Sequence, residues 1–279
     1  MRLQVAAALA LAFVVGLLAG FLAQSLAGGG AGSLESVCPG YGLLERVKER
    51  GKLVVGTSAD WPPYEYVLPN GSFAGIDIEL AKRIAGRLGV ELEIRDMKFA
   101  ALFEAVRRGD VDLAIADIAM KPERFEAVDF TIPYRCETGK AIIVRAEDAG
   151  KYTGYGWLEG KKIGVQLGTT EQDLAERYFG GKAEVVTFGK VYPEMVMALK
   201  TERVDAIIVA PDVAEALLSK EQGLKVVDQL PFFSCSAVAV PHCAYGLKEE
   251  VSKVIWDLLQ SGELKKIIED ETAKWLAGG

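Results

Sequence analysis

Asp112-Leu-Ala-Ile-Ala-Asp-Ile-Ala-Met-Lys-Pro-Glu-Arg124 decides how this chain is read. Residues 113–116 form a short apolar strand, which breaks into a polar turn and delivers one arginine a few residues later. In an α/β sheet, the segment leaving a strand's carboxyl end is where ligands gather. Pro122 suits the first turn of a short helix, because its missing N–H would have no partner there. Arg124 is then carried at the sheet edge, where its planar fork of donors matches a carboxylate.

Upstream of this stretch, helices and strands alternate. Residues 43–50 form a short amphipathic helix closed by Gly51, and 52–56 a strand. The loop 57–64, stiffened by Pro62 and Pro63, carries Trp61 and Tyr64. After a hairpin turn at Gly71, Asp77 is expected to N-cap a helix with Leu80, Ala81, Ile84, Ala85 and Leu88 on one face. A strand over 91–94 and a helix over 99–108 lead to the stretch itself.

The later half repeats the order: strand 162–166, helix 170–179, strand 184–188, helix 192–200, strand 206–209. Some words repeat too, as in Val111-Asp-Leu-Ala-Ile and Val204-Asp-Ala-Ile-Ile. This alternation predicts an α/β protein with two parallel-type sheets and crossover helices, in two lobes facing a cleft. Extended segments at 136–145 and 232–240 cross between the lobes as a two-strand hinge, and helices near 247–259 and 263–276 return to the first lobe. The expected division is 34–135 and 236–279 for the first lobe, and 136–235 for the second.

The chain has 279 residues, 25% charged and 50% hydrophobic, enough for two lobes of roughly 100 residues each. A net charge of −7 argues against a nucleic-acid partner, which needs basic surface. With His242 as the single histidine, a histidine-based metal site or catalytic triad has little support, and no cofactor is expected. Residues 3–27 are almost entirely apolar after Arg2, as in a signal peptide or an uncleaved membrane anchor, and the glycine-rich 28–33 reads as a tether. Either reading places the folded part outside the cytoplasm. There, Cys38, Cys136, Cys235 and Cys243 suggest two disulfides, with three possible pairings.

Six motifs in order carry a resemblance: Trp61-Pro-Pro-Tyr-Glu65, Phe73-Ala-Gly-Ile-Asp77, Phe99-Ala-Ala-Leu102, Lys121-Pro-Glu-Arg124, Val128-Asp-Phe-Thr-Ile-Pro-Tyr134 and Gly168-Thr-Thr170. From about Leu43 onward the chain resembles the polar amino-acid substrate-binding proteins of ABC importers, with the type II periplasmic-binding-protein fold. The resemblance implies a monomer that hands its ligand to a membrane permease. It implies that Arg124 grips the ligand carboxylate, opposed by the Thr169 and Thr170 amides after Gly168, at a helix start that favours anions. It implies that Trp61 and Phe99 sandwich the ligand side chain, and that Asp117 and Ala119 flank its amine and carboxylate.

Three positions depart from that pattern. Ala119 stands where the family usually has a hydroxyl residue. The usual amine-binding aspartate after the strand at 206–209 is replaced by Ala210, leaving Asp212 either to substitute for it or to N-cap the next helix. Glu171 replaces a commonly neutral residue. The acids Asp117, Glu171 and Asp60 hint at a cationic or amine-rich ligand. Exported cyclohexadienyl or arogenate dehydratases resemble the same family and give an enzymatic alternative, with Glu171 as general acid. On this scheme Cys136 pairs with Cys235 across the hinge, and Cys38 with Cys243 in the first lobe.

Overall fold

A computed structural model describes residues 38–278, so the expected leader and tether at 1–33 lie outside the described residues. The first lobe begins with α1 (Leu43–Arg50) and β1 (Lys52–Thr57), followed by the small antiparallel sheet β2 (Asp60–Trp61), β3 (Glu65–Val67) and β4 (Phe73–Ala74). Then come α2 (Ile76–Leu88), β5 (Glu91–Asp96), a 3₁₀ turn (Phe99–Ala101) running into α3 (Leu102–Arg108), β6 (Leu113–Ala114) and a second 3₁₀ turn (Pro122–Glu126). Pro122 occupies the first position of that turn.

The long strand β7 (Asp129–Arg145) leads to the second lobe: β8 (Lys162–Gln166), α4 (Thr170–Phe179), β9 (Glu184–Phe188), α5 (Val196–Lys200), β10 (Ala206–Val209) and α6 (Pro211–Lys220). The equally long β11 (Leu224–Val240) returns, and α7 (Tyr245–Ser261) and α8 (Glu263–Ala277) follow.

Both parallel groups predicted from the alternation form, β5-β1-β6 and β10-β8-β9. They do not stand as separate sheets. β7 and β11 pair antiparallel along most of their length and join the groups into one eight-stranded sheet, β5-β1-β6-β11-β7-β10-β8-β9. The boundaries expected at 136 and 235 fall inside these two strands, at residues directly opposite one another. Cys136 and Cys235 are disulfide-bonded there, and Cys38 is bonded to Cys243.

Apolar side chains on the helices pack against the sheet. Leu102, Val106 and Val111 form a core with Ala114 and Phe130 in the first lobe. Leu174, Ala175 and Phe179 do the same with Ile163 and Ile208 in the second. The last helix bridges the lobes rather than serving the first alone: the Trp275 indole N–H donates to the Ala216 carbonyl at 2.7 Å, and its ring meets Tyr66 and Tyr192.

Asp77 does not cap α2, as the sequence suggested. Gly75 holds the N-cap position, with a φ of 119°. A Cβ there would collide with the Tyr64 carbonyl, so the motif needs glycine at this close approach. Asp77 sits one position inside the helix and is buried, where its carboxylate accepts from the Asp117 amide at 2.7 Å and the Tyr134 hydroxyl at 3.0 Å.

Candidate ligand-binding cleft

A narrow cleft, with a cavity volume of only about 20 Å³, lies where the two lobes meet the crossing strands. Trp61, Phe99, Asp117, Ala119 and Arg124 line it from the first lobe, and Thr169, Thr170 and Glu171 from the second. Glu65, Ala116, Glu137, Lys140 and Gln166 complete the lining; the sequence reading assigned no role to any of these. Glu65 closes the Trp61-Pro-Pro-Tyr-Glu65 motif. Glu137 and Lys140 lie on a crossing strand read only as extended, where charges amid apolar neighbours were the available signal.

Arg124 is 5% exposed. It donates to the Ala119 carbonyl at 2.6 Å and, across the lobe boundary, to the Gly168 carbonyl at 3.0 Å. Its guanidinium lies 5.2 Å and 5.0 Å from the Phe99 and Phe103 ring centres. Burial lowers its pKa to about 10, so it stays charged at neutral pH. Its Nε is buried with no hydrogen-bond partner among the described residues.

Opposite it, Thr169 N-caps α4, accepting from the Gln172 amide at 3.3 Å and donating to the Gln166 carbonyl at 2.7 Å. The first-turn amides of a helix lack intrahelical partners, so the start of α4 presents donors to the cleft beside Thr170. Gly168 does not line the cleft; its carbonyl receives Arg124, and its φ of 82° turns the chain into the helix.

The acids divide differently from expectation. Glu171 is ion-paired with Lys140 at 2.7 Å, and Lys140 also pairs with Glu137. Those two carboxylates outweigh burial and hold the Lys140 ammonium above the usual lysine range. Asp60 lies outside the cleft lining, accepting from Ser58 Oγ, Gln166 Nε2 at 2.9 Å and the Val191 amide at 3.2 Å; burial raises its pKa to about 6. Asp212 also lies outside the lining. Ala210 holds the N-cap of α6, and the Asp212 carboxylate is held by Arg135 at 2.9 Å and by the Tyr64 hydroxyl.

Asp117 does face the cleft, from a left-handed backbone (φ 44°) that aspartate tolerates better than most residues. Its Oδ2 accepts from Arg135 at 2.6 Å and Trp61 Nε1 at 3.2 Å, while its buried Oδ1 has no hydrogen-bond partner among the described residues. Glu65 is fully buried, and no N–H donor among the described residues reaches either of its oxygens. Its carboxyl lies beside that of Asp77, close enough for the two to share a proton. Burial, then the charges of Asp77 and Asp117, push the Glu65 carboxyl well above the usual range. Burial and the Asp117 charge raise Asp77 to about 7, against the donors from Asp117 N and Tyr134.

Further contacts hold the lobes together around the cleft: Lys121–Asp173 at 2.6 Å and Lys190–Asp96 at 2.8 Å. Two lobes closed by polar contacts over a charged, aromatic-walled cleft define a capture protein.

The chain belongs to the bacterial extracellular solute-binding proteins, family 3, whose model matches residues 53–276. It is 32% identical over 233 residues to the arginine-binding extracellular protein ArtP of Bacillus subtilis, covering 81% of this chain and 87% of that one. Among solved structures it is similar to the amino-acid ABC-transporter substrate-binding protein AbpA of Streptococcus pneumoniae bound to L-arginine, with a TM-score of 0.78, 35% identity, and 83% and 99% of the two chains covered. It is also similar to AncCDT-1, an ancestral amino-acid-binding protein described as a precursor of cyclohexadienyl dehydratase, with a TM-score of 0.76, 29% identity, and 82% and 99% covered. These are binding proteins rather than enzymes.

Proposed function

We propose that this chain is the extracytoplasmic binding component of an amino-acid ABC importer, and that its ligand is an amino acid with a cationic side chain, of the arginine type. The observation that carries the ligand class is the acidity of the cleft lining left without a cation: the buried Glu65 carboxyl, whose neighbours are the acids Asp77 and Asp117, and Oδ1 of Asp117, which has no hydrogen-bond partner among the described residues. Buried polar groups are costly unless paired, so the complementary guest is rich in N–H donors. The arginine-binding relatives support the same class.

In this reading the ligand carboxylate meets Arg124 and the start of α4, its α-ammonium meets Asp117, its side chain lies between Trp61 and Phe99, and its distal cation reaches Glu65. Closure brings groups of both lobes onto one guest, so ligand shifts the open–closed balance. Glu171, the residue a dehydratase would use as acid, is occupied in its ion pair with Lys140 rather than standing free to donate a proton. The apolar segment 3–27 exports or anchors the chain, which acts as a monomer beside its permease.

Calorimetric titration with arginine, lysine, ornithine, glutamine, leucine and glutamate tests this. Basic amino acids should bind in the micromolar range or tighter, and glutamate should not bind. Preference for acidic or neutral ligands refutes the cationic assignment.

A further inference from the structure

Arg135, on the crossing strand β7, stands outside the cleft lining, yet it is the most heavily engaged cation near it. One end of its guanidinium donates to Asp117 Oδ2 in the first lobe at 2.6 Å, and the other to Asp212 Oδ2 in the second at 2.9 Å. Its plane lies 4.5 Å from the Tyr64 ring centre, and the Tyr64 hydroxyl donates to the same Asp212 oxygen. Glu137 adds a longer ion pair at 3.6 Å. The Arg135 side chain is 9% exposed and that of Asp117 5%, whereas that of Asp212 is 39% exposed. The inner half of this bridge is therefore buried against the first lobe, and the outer half reaches a partly exposed carboxylate carried by the second.

The division of labour at Asp117 follows from the same contacts. Arg135 and Trp61 take Oδ2 of this cleft-lining residue and leave its buried Oδ1 without a donor among the described residues. A guanidinium on one oxygen fixes the plane of the carboxylate. The remaining oxygen is thereby left to a ligand ammonium. Separating the lobes breaks the Asp212 end of the bridge without disturbing the Asp117 end, because Asp117 and Arg135 are joined within the first lobe and its exit strand.

We propose that Arg135 is a positioning residue and closing latch. It orients Asp117 for the ligand cation, and by capturing Asp212 it converts an occupied first lobe into a closed protein. The inference rests on the ligand-binding reading above and adds to it a second, separable role for an acid that lies outside the cleft.

A latch acts after encounter, so it governs escape rather than arrival. Stopped-flow measurement of intrinsic tryptophan fluorescence with arginine as probe separates the two rates. Small-angle scattering with and without saturating arginine reports compaction. Asp212→Asn, which leaves the Asp117 pair intact, should raise the dissociation rate about tenfold with the association rate unchanged, and should lessen the compaction. Arg135→Gln should lower affinity about 100-fold or more, and Arg135→Lys should recover part of the loss. Wild-type rates and compaction in Asp212→Asn, with wild-type protein binding normally, overturn the latch. Wild-type protein that binds no amino acid overturns the functional reading on which it rests.

Discussion

Arg124→Ala is the sharpest test of the cleft. The guanidinium is 5% exposed and donates to the Ala119 carbonyl of its own lobe at 2.6 Å, a contact that does not depend on closure and places it before any carboxylate arrives. Its unpartnered Nε and its charge, maintained at neutral pH by a pKa of about 10, are what a carboxylate would use. Leaving a desolvated carboxylate without its cation costs about 3–5 kcal/mol, which is a loss of roughly 150- to 5,000-fold in affinity. Arg124→Lys keeps the charge but not the fork and should fall between the two. Calorimetry gives the affinities, and circular dichroism with thermal unfolding confirms that each variant is folded. A folded alanine variant that binds the ligand within fivefold of wild type would refute the assignment of Arg124 and with it the orientation of the ligand.

Four other outcomes are expected. Glu65→Gln should lower arginine affinity at least tenfold while sparing neutral ligands, and should abolish the rise of arginine affinity with pH that follows if a protonated Glu65 must ionise to meet a cation; calorimetry across pH 5 to 8 measures both. Asp77, raised from 3.8 to about 7 in the folded protein, contributes stability that is full below about pH 4 and lost as pH rises through 7. The melting temperature should therefore fall from pH 5 to 8, and Asp77→Asn should flatten that fall. Replacing Cys38 and Cys243 by serine removes a cross-link spanning 205 positions and should cost about 2–5 kcal/mol in denaturant unfolding. Trp61→Ala should weaken binding through lost ring contact and, by freeing Asp117 Oδ2 of one donor, should weaken it more for ligands with an ammonium group than for their deaminated analogues.

What the sequence by itself determined is local and periodic. Helix and strand alternation, glycine stops after helices and the position of Arg124 just beyond a strand were legible because they depend on spacing along the chain. The motifs from Trp61 to Thr170 contain Trp61, Phe99, Arg124, Thr169 and Thr170, which the fold brings to one cleft. Tertiary structure decided whether a given charge was free or already spent. Glu171 and Asp60 read as ligand-seeking acids until their partners, Lys140 and the Gln166 and Val191 donors, were seen to come from segments 31 to 131 residues away. Asp77 read as a cap because an aspartate at a helix start usually is one. Burial under Tyr134 and the Asp117 amide, contacts 57 and 40 residues distant, gave it another role. The joining of two parallel groups into one sheet likewise depended on β7 and β11 finding each other from opposite halves of the chain. A sequence records which groups can ionise and donate; only the fold determines which of them meet, and in a low-dielectric cleft that meeting sets their charge and what they are left to bind.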